Sequence, residues 1–192
     1  MGKVRTFIAV DLDEDRLKSE LRDFQDKLLS IGADVKLVAP VNIHITLRFL
    51  GEIEEDAVQK VIDLMKELTF QPFDLELRGV GAFPSISHMN VIWVAMKKGE
   101  EELNRIVETI DPGLQRMGIP KDRKGFNPHI TVARVRTGRN KQQTARLLED
   151  LSDKDFGSMR VEQIRLKKSI LTPGDPVYST LFEVKAGNSV RY

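Results

Sequence analysis

One five-residue phrase constrains this chain more than any other feature, because it occurs twice. Asn42-Ile43-His44-Ile45-Thr46 returns as Asn127-Pro128-His129-Ile130-Thr131, and the copies begin 85 positions apart. They use two of the three histidines in the chain. An apolar residue in a strand recurs easily by chance; a scarce titratable residue with matching neighbours on both sides does not. The duplication implies an internally repeated fold that brings two titratable groups face to face.

Each phrase runs into β-forming residues: Ile45, Leu47 and Phe49 after the first, Ile130, Val132 and Val135 after the second. Side chains alternate between the two faces of a strand. His44 and Thr46 therefore share one face, with Ile43, Ile45 and Leu47 on the other. His129 and Thr131 stand likewise against Ile130 and Val132. The apolar face belongs to the core, so imidazole and hydroxyl point together into whatever lies opposite. That layout suits a phosphate, with a hydroxyl donating to a non-bridging oxygen and a ring nitrogen moving a proton. Taken singly, each histidine reads better as a core residue satisfied by local hydrogen bonds. The matched pair reverses that preference.

A chain of 192 residues holds one sizeable core, or two small lobes sharing one. Hydrophobic content of 41% and charged content of 31% describe a soluble globular protein. No apolar run is long enough to span a bilayer, and the N-terminus lacks a signal-peptide pattern. A cytoplasmic protein with no membrane association is expected, and a monomer. Without cysteine there is no disulfide framework, thiol nucleophile or thiolate metal site. Neither histidine phrase offers a third ligand at helical or short-loop spacing, so neither metal nor cofactor is expected. Residues 1–96 carry 11 Lys+Arg and 16 Asp+Glu, a net of −5, whereas residues 97–192 carry 19 and 13, a net of +6. The asymmetry suggests a polyanion approached mainly by the C-terminal half, although two solvated helical faces of opposite sign would leave the same imbalance.

Apolar residues at the 3.6-residue period predict four helices: one through Leu17, Leu21, Phe24 and Leu28, ending at Gly32; one through Val58, Val61, Ile62 and Met65; one over 100–117; and one over 141–152. Asp11 and Asp13 read as capping residues for the first, and Asp111-Pro112-Gly113 as a kink or division of the third. Strands are expected at 5–11, 35–38, 43–50, 73–80, 90–97, at the second phrase, and at 159–171 and 177–185. Residues 81–85 read as a turn, 121–125 as a basic loop, and His88 as a surface loop residue. Helices interspersed with hairpin-type strands predict an α+β protein of antiparallel sheets.

The segments His44-Ile45-Thr46-Leu47-Arg48-Phe49-Leu50-Gly51 and Pro128-His129-Ile130-Thr131-Val132-Ala133-Arg134 resemble the paired signatures of the two-histidine phosphoesterase superfamily. The likeness is to its RNA 2′,3′-cyclic phosphodiesterase branch, also called 2′-5′ RNA ligase, and it spans nearly the whole chain from Arg5 to Val184. It implies one two-lobed domain over 1–192, with pseudo-symmetric lobes of antiparallel sheet, helices outside and a central groove. It implies hydrolysis of RNA 2′,3′-cyclic phosphate ends, tRNA fragments being one candidate, to 2′-phosphates. His44 and His129 would be the catalytic pair, His44 as general acid and His129 as general base, and ATP-independent 2′-5′ ligation would be the same chemistry with an alcohol replacing water. The competing readings are a non-catalytic RNA-end-binding module and a phosphodiesterase for small cyclic nucleotides.

The resemblance further implies that Thr46, Thr131 and Arg134 hold the phosphate and that Phe49 contacts base or ribose. Strict alternation opposes the last two. Phe49 and Arg134 each stand five residues after a histidine, where an unbroken strand aims them away from the groove. A β-bulge in each strand would resolve the conflict. Arg48 has groove parity in an unbroken strand and is a candidate groove cation.

Overall fold

The structure, a computed structural model, describes residues 2–122 and 125–187. Arg123 and Lys124 of the expected basic loop lie outside the described residues. In chain order the elements are β1 (Lys3–Asp11), α1 (Asp15–Ser30), β2 (Val35–Leu37), a 3-10 turn (Pro40–Asn42), β3 (His44–Glu54), α2 (Glu55–Lys66) and β4 (Phe73–Ser85). There follow β5 (His88–Lys98), α3 (Glu100–Arg116), β6 (Ile130–Val135), α4 (Lys141–Asp150), β7 (Asp155–Val161), β8 (Gln163–Ile170) and β9 (Val177–Lys185). The α+β antiparallel architecture is as expected.

The strands form one antiparallel sheet in the order β7-β4-β5-β6-β3-β1-β8-β9, with β2 paired to β6. It divides into two four-stranded ladders, β3-β1-β8-β9 and β6-β5-β4-β7, each with a histidine strand innermost. β7 stands at one end of this order and β8 one strand from the other end, yet only Glu162 separates them in sequence. Such a short link closes only if the sheet curls until its ends approach. The Glu162 carbonyl then accepts from the Ala186 amide at 2.8 Å. The single strand expected over 159–171 is thus two strands, one in each ladder.

Helices and sheet share one core. The α1 stripe Leu17, Leu21, Phe24 and Leu28 is fully buried, together with Ile45, Leu47, Ile130 and Val132 from the histidine strands. α1 follows β1 but packs on β7, β2 and β6; α3 follows β5 but packs also on β3 and α2. Each ladder is therefore backed partly by a helix that the other launches. Gly32 closes α1 in the left-handed conformation (φ +71°), as its position predicts.

Several local expectations need correction. Asp11 and Asp13 do not cap α1, whose N-cap is Glu14; both instead face Arg165, and Asp11 also binds Lys167. α3 is not divided at Pro112 and runs to Arg116. Gly113 is what the packing needs there, since a Cβ would collide with Leu64 of α2. Residues 81–85 are strand rather than turn: β4 runs to Ser85 and pairs with His88 of β5. Among the described residues, no helix is long and apolar enough to cross a membrane.

Candidate active site

His44 opens β3 and His129 directly precedes β6, so both rings stand at the start of a motif strand. His44 Nδ1 lies 2.7 Å from the Asn42 carbonyl oxygen, and His129 Nδ1 lies 2.7 Å from the Asn127 carbonyl oxygen. A carbonyl only accepts, so Nδ1 carries the proton in both rings and Nε2 is left for chemistry. The asparagine that opens each phrase thus orients its histidine through the main chain. The two copies then diverge. His44 Nε2 lies 2.9 Å from its own Thr46 Oγ1, whereas no such bond joins His129 Nε2 to a partner among the described residues.

Each ring is also held by two aromatics. Phe7 and Tyr178 approach His44 at centroid distances of 4.9 and 5.4 Å, and Phe83 and Trp93 approach His129 at 4.9 and 6.4 Å. Sequence reading missed all four. They come from β1, β9, β4 and β5, and their spacing along the chain carries no sign that the strands meet. The Trp93 indole packs against Gly81, where a Cβ would strike it.

The histidines face a groove of about 490 Å³. His44, Thr46, Phe49, His129, Thr131 and Arg134 all line it, so all six predicted residues meet in one place. Arg5, Lys36 and Tyr178 also line it. The Arg5 guanidinium lies 4.6 Å from the centroid of the Phe49 ring. Lys36 reaches Asp175 at 3.2 Å and the Gly174 carbonyl at 2.8 Å, tying the β8–β9 connection across the groove. Arg5 shares strand parity with Phe7, the one signal that could have marked it.

Phe49 and Arg134 reach the groove because both strands break alternation. Against β1, Phe7 pairs with Phe49, Ile8 with Arg48 and Ala9 with Thr46, so Leu47 is an extra residue. Against β5, Ile92 pairs with Ala133 and Trp93 with Thr131, so Val132 is extra. Each extra residue stands three places after its histidine. Leu47 and Arg48 are consequently both buried, as are Val132 and Ala133, and the following side chain returns to the groove. In β6 the distortion is held from behind: the buried Gln25 of α1 donates to the Val132 and Val38 carbonyls at 2.9 and 2.8 Å.

The same bulge removes Arg48 from the groove. It is 6% exposed and donates to the Asp111 carboxylate of α3 and to the Pro120 carbonyl; it lines not this groove but an adjoining cavity of about 860 Å³ that it shares with Thr46, Phe49 and His129. His88 is exposed, at the head of β5, and lines a separate cleft.

Burial pushes the His44 imidazole below its ordinary value, against the Asn42 carbonyl and the Asp11 carboxylate, which favour the charged ring. Burial would raise Asp11 itself, but Lys167 and Arg165 hold it below the usual carboxylate range. Burial raises the Tyr178 phenol against the opposing pull of Arg134 and Arg5, so it remains a neutral hydroxyl facing the groove. Among the described residues, no group of three or more His, Cys, Asp or Glu side chains is placed to hold a metal ion.

Residues 6–185 match the family described as the AKAP7 2'5' RNA ligase-like domain. The chain is 40% identical over 171 residues to an Aeropyrum pernix protein named RNA 2',3'-cyclic phosphodiesterase, covering 89% of this chain and 97% of that one. An Archaeoglobus fulgidus protein of the same name is 39% identical over 178 residues, covering 93% and 98%. Among solved structures, a Thermus thermophilus protein superposes with a TM-score of 0.78 at 29% identity, covering 94% of this chain and 97% of that one. Escherichia coli LigT in its apo form gives 0.77 at 23% identity, covering 97% and 99%, and shares the fold. The curled antiparallel sheet with two histidine phrases at its centre therefore belongs to the two-histidine phosphoesterase family, in its 2′-5′ RNA ligase-like branch.

Proposed function

We propose that this protein hydrolyses the 2′,3′-cyclic phosphate at RNA ends to a 2′-phosphate, with His44 as general acid and His129 as general base. The observation that carries the reading is the matched tautomer: two imidazoles, each fixed through Nδ1 to a main-chain carbonyl, offer Nε2 to one groove. The relatives named for this activity, which match the chain over most of their length, supply the substrate class.

In the reaction, His129 Nε2 takes a proton from water as its oxygen attacks phosphorus in line. The P–O3′ bond breaks, and His44 Nε2–H delivers its proton to the departing O3′. Nε2 of His129, which has no hydrogen-bond partner among the described residues, is suited to accept a proton, while the Thr46 hydroxyl next to His44 Nε2 can hold that ring in line with the leaving oxygen. Thr46 and Thr131 donate to the non-bridging oxygens, and the Arg134 guanidinium balances their charge. Phe49, with Arg5 over its ring, forms a wall for the terminal base or ribose. Two imidazoles complete the proton inventory, so the reaction needs no metal. Replacing water by a 5′-hydroxyl gives 2′-5′ ligation without ATP.

The deciding experiment is product analysis on an oligonucleotide ending in a 2′,3′-cyclic phosphate, with excess chelator present. A 2′-phosphate product is expected. A 3′-phosphate product, or activity lost to the chelator and restored by one divalent ion, would overturn the mechanism; binding without turnover would leave an RNA-end-binding module.

A further inference from the structure

Beyond the catalytic groove, β6 continues into a segment with an unusual composition: Arg134-Val135-Arg136-Thr137-Gly138-Arg139-Asn140-Lys141 holds four cations and no acid. Arg134 points into the groove. Arg136, Arg139 and Lys141 instead line a cleft of about 230 Å³, which His88 also lines. Two residues of extended chain place Arg136 about 7 Å from Arg134 between Cα atoms.

The backbone of this segment is firmly anchored. Arg136 N donates to the Asp34 carbonyl at 2.9 Å, the Thr137 hydroxyl to the Asp34 carboxylate at 2.7 Å, and Asn140 Nδ2 to the Ile31 carbonyl at 2.9 Å. The charged side chains are not. Among the described residues, none of Arg136, Arg139 and Lys141 has an ion pair or a side-chain hydrogen bond, and all three are exposed side by side on one cleft. Among the described residues the one carboxylate lining the cleft is Asp34, which accepts from the neutral Thr137 hydroxyl, so three cations stand against a single carboxylate. Three like charges on a fixed loop repel one another, and a bound polyanion is what would offset that repulsion.

We propose that this cleft holds the phosphate backbone of the RNA on the 5′ side of its cyclic end. It would be a subsite that adds affinity for a polynucleotide without touching the reacting phosphate. The inference rests on the proposed hydrolysis of RNA ends and extends it from a terminal nucleotide to the strand behind it. Cations that meet phosphates contribute salt-sensitive binding that is blind to sequence.

The test compares wild type with R136A/R139A/K141A on two substrates: cytidine 2′,3′-cyclic monophosphate, which has no backbone phosphate, and a ten-nucleotide RNA with a cyclic end. The triple variant should lose about tenfold or more in kcat/KM on the RNA, mainly through KM, and stay within about twofold on the mononucleotide. Binding of a fluorescent ten-nucleotide RNA with a plain 3′-phosphate, read by anisotropy, should weaken in parallel. Its slope against the logarithm of salt should flatten by roughly two, at about 0.7 for each single-strand phosphate that the variant no longer neutralises. Equal losses on both substrates, or none on either, would overturn the subsite. If wild type hydrolyses neither substrate, the functional reading fails, and the anisotropy experiment still decides the subsite. RNA binding unchanged in the variant, or competed equally by polyaspartate of the same charge, would overturn it.

Discussion

Ile45 pairs with Ile130, and among the described residues this is the one backbone pair that joins β3 to β6. Carried one step further in the same antiparallel register, it sets His44 abreast of Thr131 and Thr46 abreast of His129. These four side chains then form a rectangle on one face, with the two histidines on a diagonal. Diagonal neighbours across an antiparallel pair stand roughly 7–8 Å apart, enough for a phosphate between two imidazoles. Both isoleucines are fully buried, so the junction that spaces the histidines is anchored in the core.

In the proposed mechanism each histidine is individually necessary. His44→Ala and His129→Ala should each lose on the order of 10²-fold or more in kcat on a cyclic-phosphate RNA, the scale of a general acid or base. Both rings line the groove, so the variants should keep wild-type circular dichroism. A double variant no slower than the slower single would indicate that the pair acts as a unit. Near-normal turnover by either single variant would sink the assignment.

The depressed value of His44 bears on its role as acid. In the proposed mechanism the ring must be charged before it can donate, and the substrate phosphate is the anion that would favour its charged form. Following the ring by NMR should show it titrating below about 6.5 in the free protein. It should titrate higher when inorganic phosphate or a 2′-phosphate occupies the groove. No change on phosphate binding would count against His44 as the acid. The stability consequence has a definite sign. A folded-state value below the unfolded one contributes stability above about pH 6.5, lost as pH falls through the folded value. Urea midpoints at pH 7.5 and pH 5 should therefore differ less for His44→Asn than for wild type, which loses more on acidification.

Arg48 and Asp111 carry a different prediction. Both are 6% exposed, and they link β3 to α3. Removing one partner of such a pair strands the other charge, at a cost of about 3–5 kcal/mol. Asp111→Ala should lower the urea midpoint accordingly, while the protein that remains folded keeps its kcat. Loss of kcat without loss of stability would place Arg48 in the chemistry after all.

Much of this was legible in the sequence where short-range periodicity governs. The helix stripes, the histidine strands and the shared face of each His-x-Thr unit follow from spacings of 3.6 and 2. What escaped depends on pairings between distant segments. Nothing near Phe7, Phe83, Trp93 or Tyr178 announces that they wedge the histidine rings, because β1, β9, β4 and β5 meet only in the finished sheet. Arg48 misled for the same reason, since its parity holds only if the strand is unbroken. Asp11 looked like a helix cap because local sequence cannot reveal that Lys167 and Arg165 lie opposite. The split at Glu162 was invisible because both flanking strands have the same alternating pattern.

The two bulges yield the last prediction. Leu47 and Val132 are extra residues at matching places, and each returns a side chain to the groove, Phe49 in one strand and Arg134 in the other. A symmetric backbone device thus presents an asymmetric pair, an aromatic that is 46% exposed and a guanidinium. If Arg134 balances the charge of the reacting phosphoryl group as proposed, Arg134→Ala should depress kcat on every cyclic-phosphate substrate. If Phe49 contacts base or ribose as proposed, Phe49→Ala should chiefly raise KM and blur base preference. Gln25 separates the bulge from the residue it presents. Gln25→Leu keeps the volume but strips one of two donors from the Val132 carbonyl, which still accepts from the Val38 amide at 2.9 Å, and removes the donor to the Val38 carbonyl, at about 1–3 kcal/mol for that unsatisfied group. If Val132 must be held for Arg134 to face the groove, Gln25→Leu should also lose kcat as Arg134→Ala does, while leaving the effect of Phe49→Ala on base preference unchanged. A Gln25→Leu variant that loses stability but retains full kcat would show that the β6 bulge holds its shape without α1.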